Sequence, residues 1–251
     1  MFILKLLVVL LCLFLGYVLF LFICSLFVNP KKEYTNNSPF YRFLLYSASS
    51  VALKLLRIKV HITGVEKIPT DVNPLFVGNH RSNFDPIVQW MALKKWNLAF
   101  ISKESNFKIP FFGRFIRKCC FMAIDRVDPR KTVATIKNAT HLLEKGEVSV
   151  AVYPEGTRSK NCDILPFHNG VFRIAQRADR PIVVMAIKGT EQIHKNIPWR
   201  RSDVYLEIAD VIPTQKAKTM KANEIGDEVR AALESALERK QVHNNYEVHS
   251  L

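Results

Sequence analysis

The chain has 251 residues, 49% of them hydrophobic, and carries 36 Lys and Arg against 22 Asp and Glu, a formal net charge of +14. That length leaves room for one soluble domain and a membrane segment, not for two domains. The charge raises nucleic acid and anionic lipid as partners, and the N-terminal run decides for lipid and against nucleic acid. Positions 6–28 carry no charge and amount to roughly 23 residues, about 34 Å of helix against a hydrocarbon core of about 30 Å.

A cleaved signal peptide would need an apolar stretch of about 7 to 15 residues followed by a small-x-small site, and neither is present. Cys24 does not read as a lipoprotein anchor, because bulky Phe22 and Ile23 precede it and Leu26, Phe27 and Val28 continue the run. Residues 1–32 are therefore expected to anchor the chain in a membrane. Lys31 and Lys32 close the run and, with the basic remainder behind them, favour placing the C-terminal side in the cytoplasm, although Lys5 on the other flank pulls the opposite way. The five cysteines fit a reducing compartment. Two lie in the apolar run, Cys119 and Cys120 are adjacent and Cys162 stands alone, so no disulfide framework emerges, and no Cys/His spacing matches a zinc site.

Residues 33–57 are expected to hold an amphipathic, membrane-proximal helix, with Phe40, Phe43, Leu44, Ala48, Val51, Ala52, Leu55 and Leu56 at helical spacing. Residues 58–240 read as one domain and 241–251 as a polar tail. Strands are predicted at 58–63, closed by Gly64, and at 74–78. Asp85 and Pro86 then suit the N-cap and first position of a helix reaching about Lys94. A strand at 98–102 leads to Lys103 and Glu104. The aromatic-basic stretch at 108–118 follows as a short helix; it and Trp199-Arg200-Arg201 have the composition of an interfacial surface. A strand at 120–124 enters Asp125 and Arg126. Asp128 and Pro129 open a helix striped by Val133, Ile136, Ala139, Leu142 and Leu143 and stopped by Gly146. Strands at 148–153, 182–187 and 204–209 and a helix at 170–178 come next. The last helix buries Ile225, Val229, Ala232, Leu233, Ala236 and Leu237. Strands alternating with helices make this an α/β layered domain with a mixed or mainly parallel sheet flanked by helices, whose strand order the pattern does not give.

Three polar islands interrupt the pattern, each directly after a strand: Asn79-His80-Arg81-Ser82-Asn83-Phe84-Asp85, Ile124-Asp125-Arg126 and Tyr153-Pro154-Glu155-Gly156-Thr157-Arg158. Open sheets bind ligands beyond their strand ends, so the three can converge on one cleft. His80 and Asp85 lie five apart, which on a helix would separate their side chains by about 140°. If His80 stands instead in a turn before a helix that starts at Asp85, the carboxylate can reach one imidazole nitrogen and leave the other as a general base for a hydroxyl. A lone His-x4-Asp also has a bland reading, a structural histidine. The third island adds a turn glycine that lets backbone approach a ligand, a hydroxyl, and a guanidinium able to fork onto phosphate; its bland reading is a surface turn. Ser82 lacks a glycine-flanked elbow and reads as a turn residue, not a hydrolase nucleophile.

In order and wording the islands resemble the glycerolipid acyltransferase family, in particular its 1-acylglycerol-3-phosphate O-acyltransferase type, over roughly residues 64–209. The resemblance implies direct acyl transfer from a thioester, acyl-CoA or acyl carried on acyl carrier protein, to the free hydroxyl of a lysophosphatidate-type acceptor. It implies no covalent enzyme intermediate, no metal and no bound cofactor. His80 would be the base and Asp85 the group that orients it. Glu155, Gly156, Thr157 and Arg158 would shape the acceptor site, with Arg158 on the phosphate and Lys103 and Arg126 as further cations. Gly113 falls between the islands as the family's order requires. Tyr153 departs from the usual phenylalanine, and the strand after Pro181 matches a fourth family segment that is structural or lines the acyl chain. The same motifs serve acceptors such as glycerol 3-phosphate or a lysophospholipid, and a basic membrane adaptor that keeps the fold without activity is the reading from another class.

Overall fold

The computed structural model describes residues 1–125 and 128–239, so Arg126 and the tail at 241–251 lie outside the described residues. Helix α1 (Phe2–Leu26) and helix α2 (Pro39–Leu55) precede strand β1 (Ile58–Thr63). Strand β2 (Leu75–Gly78) leads into α3 (Asp85–Ala92), β3 (Ala99–Lys103) into α4 (Phe112–Lys118), and β4 (Met122–Ile124) into α5 (Pro129–Lys145). The chain continues through β5 (Val150–Val152), α6 (Arg173–Ala178), β6 (Ile182–Lys188), α7 (Ile193–Asn196), β7 (Ser202–Ile212), α8 (Thr214–Thr219) and α9 (Ala222–Glu238). Local chemistry sets the firmest of these boundaries. Before α5 the Asp128 carboxylate accepts the Arg130 N–H at 2.9 Å, Pro129 occupies the first turn, and Gly146 ends the helix.

The strands form one sheet in the order β1-β7-β6-β2-β5-β3-β4. From β6 to β4 every pairing is parallel; β7 runs antiparallel to β6, and β1 is parallel to β7. The sheet is thus mixed but mainly parallel. Helices cover both faces of its centre, which is why β2, β5 and most of β6 are unbroken runs of buried residues, whereas β7 alternates buried and half-buried positions. A second consequence follows from strand direction. The carboxyl ends of β2, β5, β3 and β6 share one edge of the sheet with the amino ends of β1 and β7, and the first and third polar islands leave the strands at that edge.

Helix α1 is exposed along most of its length and buries only Leu21, Cys24 and Ser25; with a mean hydropathy of 3.1 it is long and apolar enough to cross a membrane. Helix α2 is more deeply embedded than an interfacial helix need be. Its Arg42 is buried, donating to the Leu98 carbonyl at 2.7 Å, the Cys119 carbonyl at 3.0 Å and Asn37 Oδ1 at 3.0 Å, while Phe40, Phe43 and Leu55 remain exposed.

Two expectations need correction. The stretch at 108–118 divides: Lys108, Ile109 and Pro110 are exposed, whereas Phe115 and Arg117 are buried, and Arg117 lies over the Phe107 ring and reaches Glu104 at 3.4 Å. Arg114 donates to the Ser25 carbonyl at 3.0 Å. Arg114 and Arg117 thus find a backbone carbonyl and a carboxylate of the protein as partners, and that part of the stretch serves packing. Asp85, expected as an N-cap, is instead the first residue of α3, because its carboxylate points back into the preceding turn. Helices α7 and α8, of 4 and 6 residues, are too short to leave a periodic trace in sequence.

Candidate active site

The turn that follows β2 is built around a fully buried carboxylate. Asp85 Oδ2 accepts the Arg81 N–H at 2.6 Å and the Ser82 N–H at 2.7 Å, and it stands 2.8 Å from His80 Nδ1. Its Oδ1 accepts the hydroxyl of Thr190, which is also fully buried. Four donors thus satisfy a charge that burial alone would make expensive. Because Asp85 can only accept, His80 Nδ1 carries the hydrogen, and Nε2 keeps its lone pair. No hydrogen bond to Nε2 occurs among the described residues, and the His80 side chain keeps 18% of its surface exposed. The arrangement offers an oriented, unoccupied acceptor, which is what a general base for a hydroxyl needs.

The ring itself is held flat. Tyr153 stacks on His80 with centroids 4.1 Å apart and planes 4° from parallel, and it donates its hydroxyl to Gln89 Oε1. Burial, with the Asp85 charge nearby, pushes the Tyr153 phenol well above its usual range, so it stays a neutral donor. Asn79, at the start of the turn, bridges β2 to β6: its amide donates to the Ile187 carbonyl at 3.0 Å and its oxygen accepts the Ile187 N–H at 2.8 Å.

The turn after β5 is bolted to the first one. Glu155 is buried, and its carboxylate accepts the His80 N–H at 2.8 Å and the Leu165 N–H at 2.9 Å. Burial raises the Glu155 carboxyl above its usual range, while those amide hydrogen bonds act in the opposite direction. Ser159 N–H donates to the His80 carbonyl at 2.9 Å, so Arg158 leaves the backbone one residue from that bond. Gly156 takes a φ of +66° with the His168 ring against it, a conformation in which a side chain would be strained. Thr157 and Arg158 are exposed and make no hydrogen bond or ion pair among the described residues.

His80, Asp85 and the residues 155–158 therefore lie together. Two other candidates lie elsewhere. Lys103, at the end of β3, lines a cleft of about 560 Å³ with Glu33, Glu104, Asp125 and Lys131, and none of the residues just named contributes to its lining. Gly113 is buried within α4, where a Cβ would stand 2.3 Å from the Phe107 carbonyl oxygen; its lack of a side chain permits that close approach. Sequence reasoning passed over Thr190, Asn79 and Gln89. Thr190 follows Gly189 at the end of β6, much as Thr157 follows Gly156 after β5. Its partner lies 105 positions away, however, and only the adjacency of β6 and β2 brings the two together. Away from these turns, burial pushes the Cys119 thiol up to about 11 and the Cys120 thiol up to about 12.

Comparison with known proteins gives a consistent pattern. The Acyltransferase family pattern matches residues 59–188, which takes in both turns. A 1-acyl-sn-glycerol-3-phosphate acyltransferase of Chlamydomonas reinhardtii is 30% identical over 84% of this chain and 58% of its own length. A chloroplastic one of Brassica napus is 37% identical over 54% of this chain and 39% of its own. One of Escherichia coli strain K12 is 30% identical over 58% and 59%. The chain thus spans less than two thirds of the length of these curated relatives. Among solved structures, the crystal structure of the 1-acyl-sn-glycerophosphate (LPA) acyltransferase PlsC from Thermotoga maritima superposes with a TM-score of 0.64. It has 25% identity, and the match covers 80% of this chain and 81% of that one.

Proposed function

The chain belongs to the acyltransferase family, and from that membership we propose that it transfers an acyl chain from a thioester to the free hydroxyl of 1-acylglycerol 3-phosphate, giving phosphatidate. The observation that carries the proposal is the open Nε2 of His80 on an imidazole whose Nδ1–H is held by Asp85. His80 Nε2 takes the hydroxyl proton as the oxygen attacks the thioester carbonyl carbon. The tetrahedral oxyanion then collapses, the carbon–sulfur bond breaks, and the thiolate takes the proton back from the imidazolium. Asp85 stabilises that imidazolium without itself moving a proton. No covalent enzyme intermediate is required.

Arg158 is the group that would meet the acceptor phosphate, because its exposed guanidinium, which has no partner among the described residues, can fork onto two phosphate oxygens. Thr157 and the Gly156 turn shape the same side of the site. Glu155 acts here as a brace, since both its oxygens are engaged by backbone N–H groups. Lys103 and Arg126 are further cations within this reading, Lys103 from its separate cleft. The donor is acyl-CoA or acyl carried on acyl carrier protein. Helix α1 anchors the enzyme in the bilayer that holds both acceptor and product, with the catalytic domain on the cytoplasmic side.

The test is release of free thiol from acyl-CoA by the purified full-length protein, with lysophosphatidate, glycerol 3-phosphate and a lysophospholipid offered in turn. Release that depends on lysophosphatidate and yields phosphatidate is expected. Release with another acceptor only would reassign the substrate, and none with any acceptor or donor would point to a non-catalytic basic adaptor.

A further inference from the structure

The edge of the sheet that carries the dyad also carries the most exposed aromatic side chain of the domain. Strands β6 and β7 pair Lys188 with Tyr205, and β7 opens at Ser202. At about 3.4 Å per residue, the 197–201 loop therefore stands roughly 10 Å beyond the level at which β6 ends. Trp199 at its tip is 82% exposed. Strand β1 starts opposite Ser202, so helix α2 ends beside this loop, and the contact is direct: Arg57 Nη1 donates to the Trp199 carbonyl at 2.9 Å. Leu55, 63% exposed, adds a second apolar side chain.

The exposed charges nearest the pair in sequence are basic. Lys54, Arg57, Lys195 and Arg200 are exposed, and the sequence carries no acid between positions 34 and 65 or between 192 and 202. Arg201 is already engaged by Asp203, at 2.7 and 3.0 Å, and is not counted. Helix α1 points the same way. Tyr17 meets Ser47 and Tyr41 meets the Cys24 carbonyl, so α1 runs antiparallel to α2, and its free N-terminal half extends toward the edge where α2 ends.

We propose that the 197–201 loop and the end of α2 form a second membrane contact: Trp199 and Leu55 sit at the headgroup boundary of an anionic bilayer, and Lys54, Arg57, Lys195 and Arg200 lie against its phosphates. This rests on the reading of α1 as a bilayer anchor.

Trp199 is its own reporter, because Trp90 and Trp96 are 1% and 7% exposed. The full-length chain is reconstituted into phosphatidylglycerol-containing vesicles whose acyl chains carry bromine near the headgroup, and tryptophan quenching is read beside vesicle flotation. Wild type should float and be quenched, Trp199→Phe should float with the quenching lost, and Arg57→Glu with Arg200→Glu should float with the quenching weakened. Equal quenching of wild type and Trp199→Phe in floating protein overturns the loop contact and leaves the anchor standing. Failure of the wild type to float overturns both.

Discussion

The turns after β2 and β5 leave the same edge of the sheet side by side and are held in opposite ways. In the first, Asp85 is satisfied on both oxygens, Asn79 is engaged through both amide groups, and His80 is clamped by a carboxylate, a stacked ring and two backbone bonds. The second is pinned through Tyr153 and Glu155 but leaves Thr157 and Arg158 exposed and, among the described residues, unengaged. Proton transfer needs a lone pair fixed in place before substrate arrives, since small misplacements of a base are costly. A cation that grips phosphate can order itself on the ligand. On the proposed function, that difference fits chemistry at the first turn and binding at the second.

That division can be broken by substitution. The largest loss is expected for His80→Ala, about 10²-fold or more in turnover, measured as thiol release on protein shown by circular dichroism to be folded. Asp85→Asn should come close, because an amide cannot accept from four donors, and a lowered Tm should accompany it. Thr190→Val should cost turnover about tenfold: it leaves Asp85 Oδ1 unpaired in a buried place, a penalty of about 1–3 kcal/mol. Thr190→Ser should restore most of the loss, which a purely packing role for Thr190 would not allow. Tyr153→Phe should be mildest, with turnover within about threefold and stability lower by about 1 kcal/mol, since it keeps the ring on His80 and orphans only Gln89. A large drop in turnover for Tyr153→Phe would mean that the hydroxyl belongs to the chemistry.

Much of the fold is legible in sequence because local rules decide it. The Asp128-Pro129 start and Gly146 stop of α5, the apolar stripe of α9 and the β1 boundaries at 58–63 all follow from spacing and capping. The first and third islands were legible too, because short-range geometry permits His80 to meet Asp85. What stayed hidden depends on strand order. Thr190 reaches Asp85, and Asn79 reaches Ile187, only because β6 lies beside β2. The burial of Phe115 and Arg117 is hidden for a related reason: the arginines of this stretch find the Ser25 carbonyl and Glu104, partners that composition cannot reveal.

The most direct test of the division of labour is a side-by-side measurement of kcat and acceptor KM for His80→Ala and Arg158→Ala. His80→Ala should lower kcat about 10²-fold with the acceptor KM near that of wild type. Arg158→Ala should raise the acceptor KM about tenfold or more, with kcat largely kept and the donor KM unchanged. Arg158→Ala that lowers kcat at an unchanged acceptor KM, or His80→Ala that keeps near-normal kcat in a folded protein, would contradict the account.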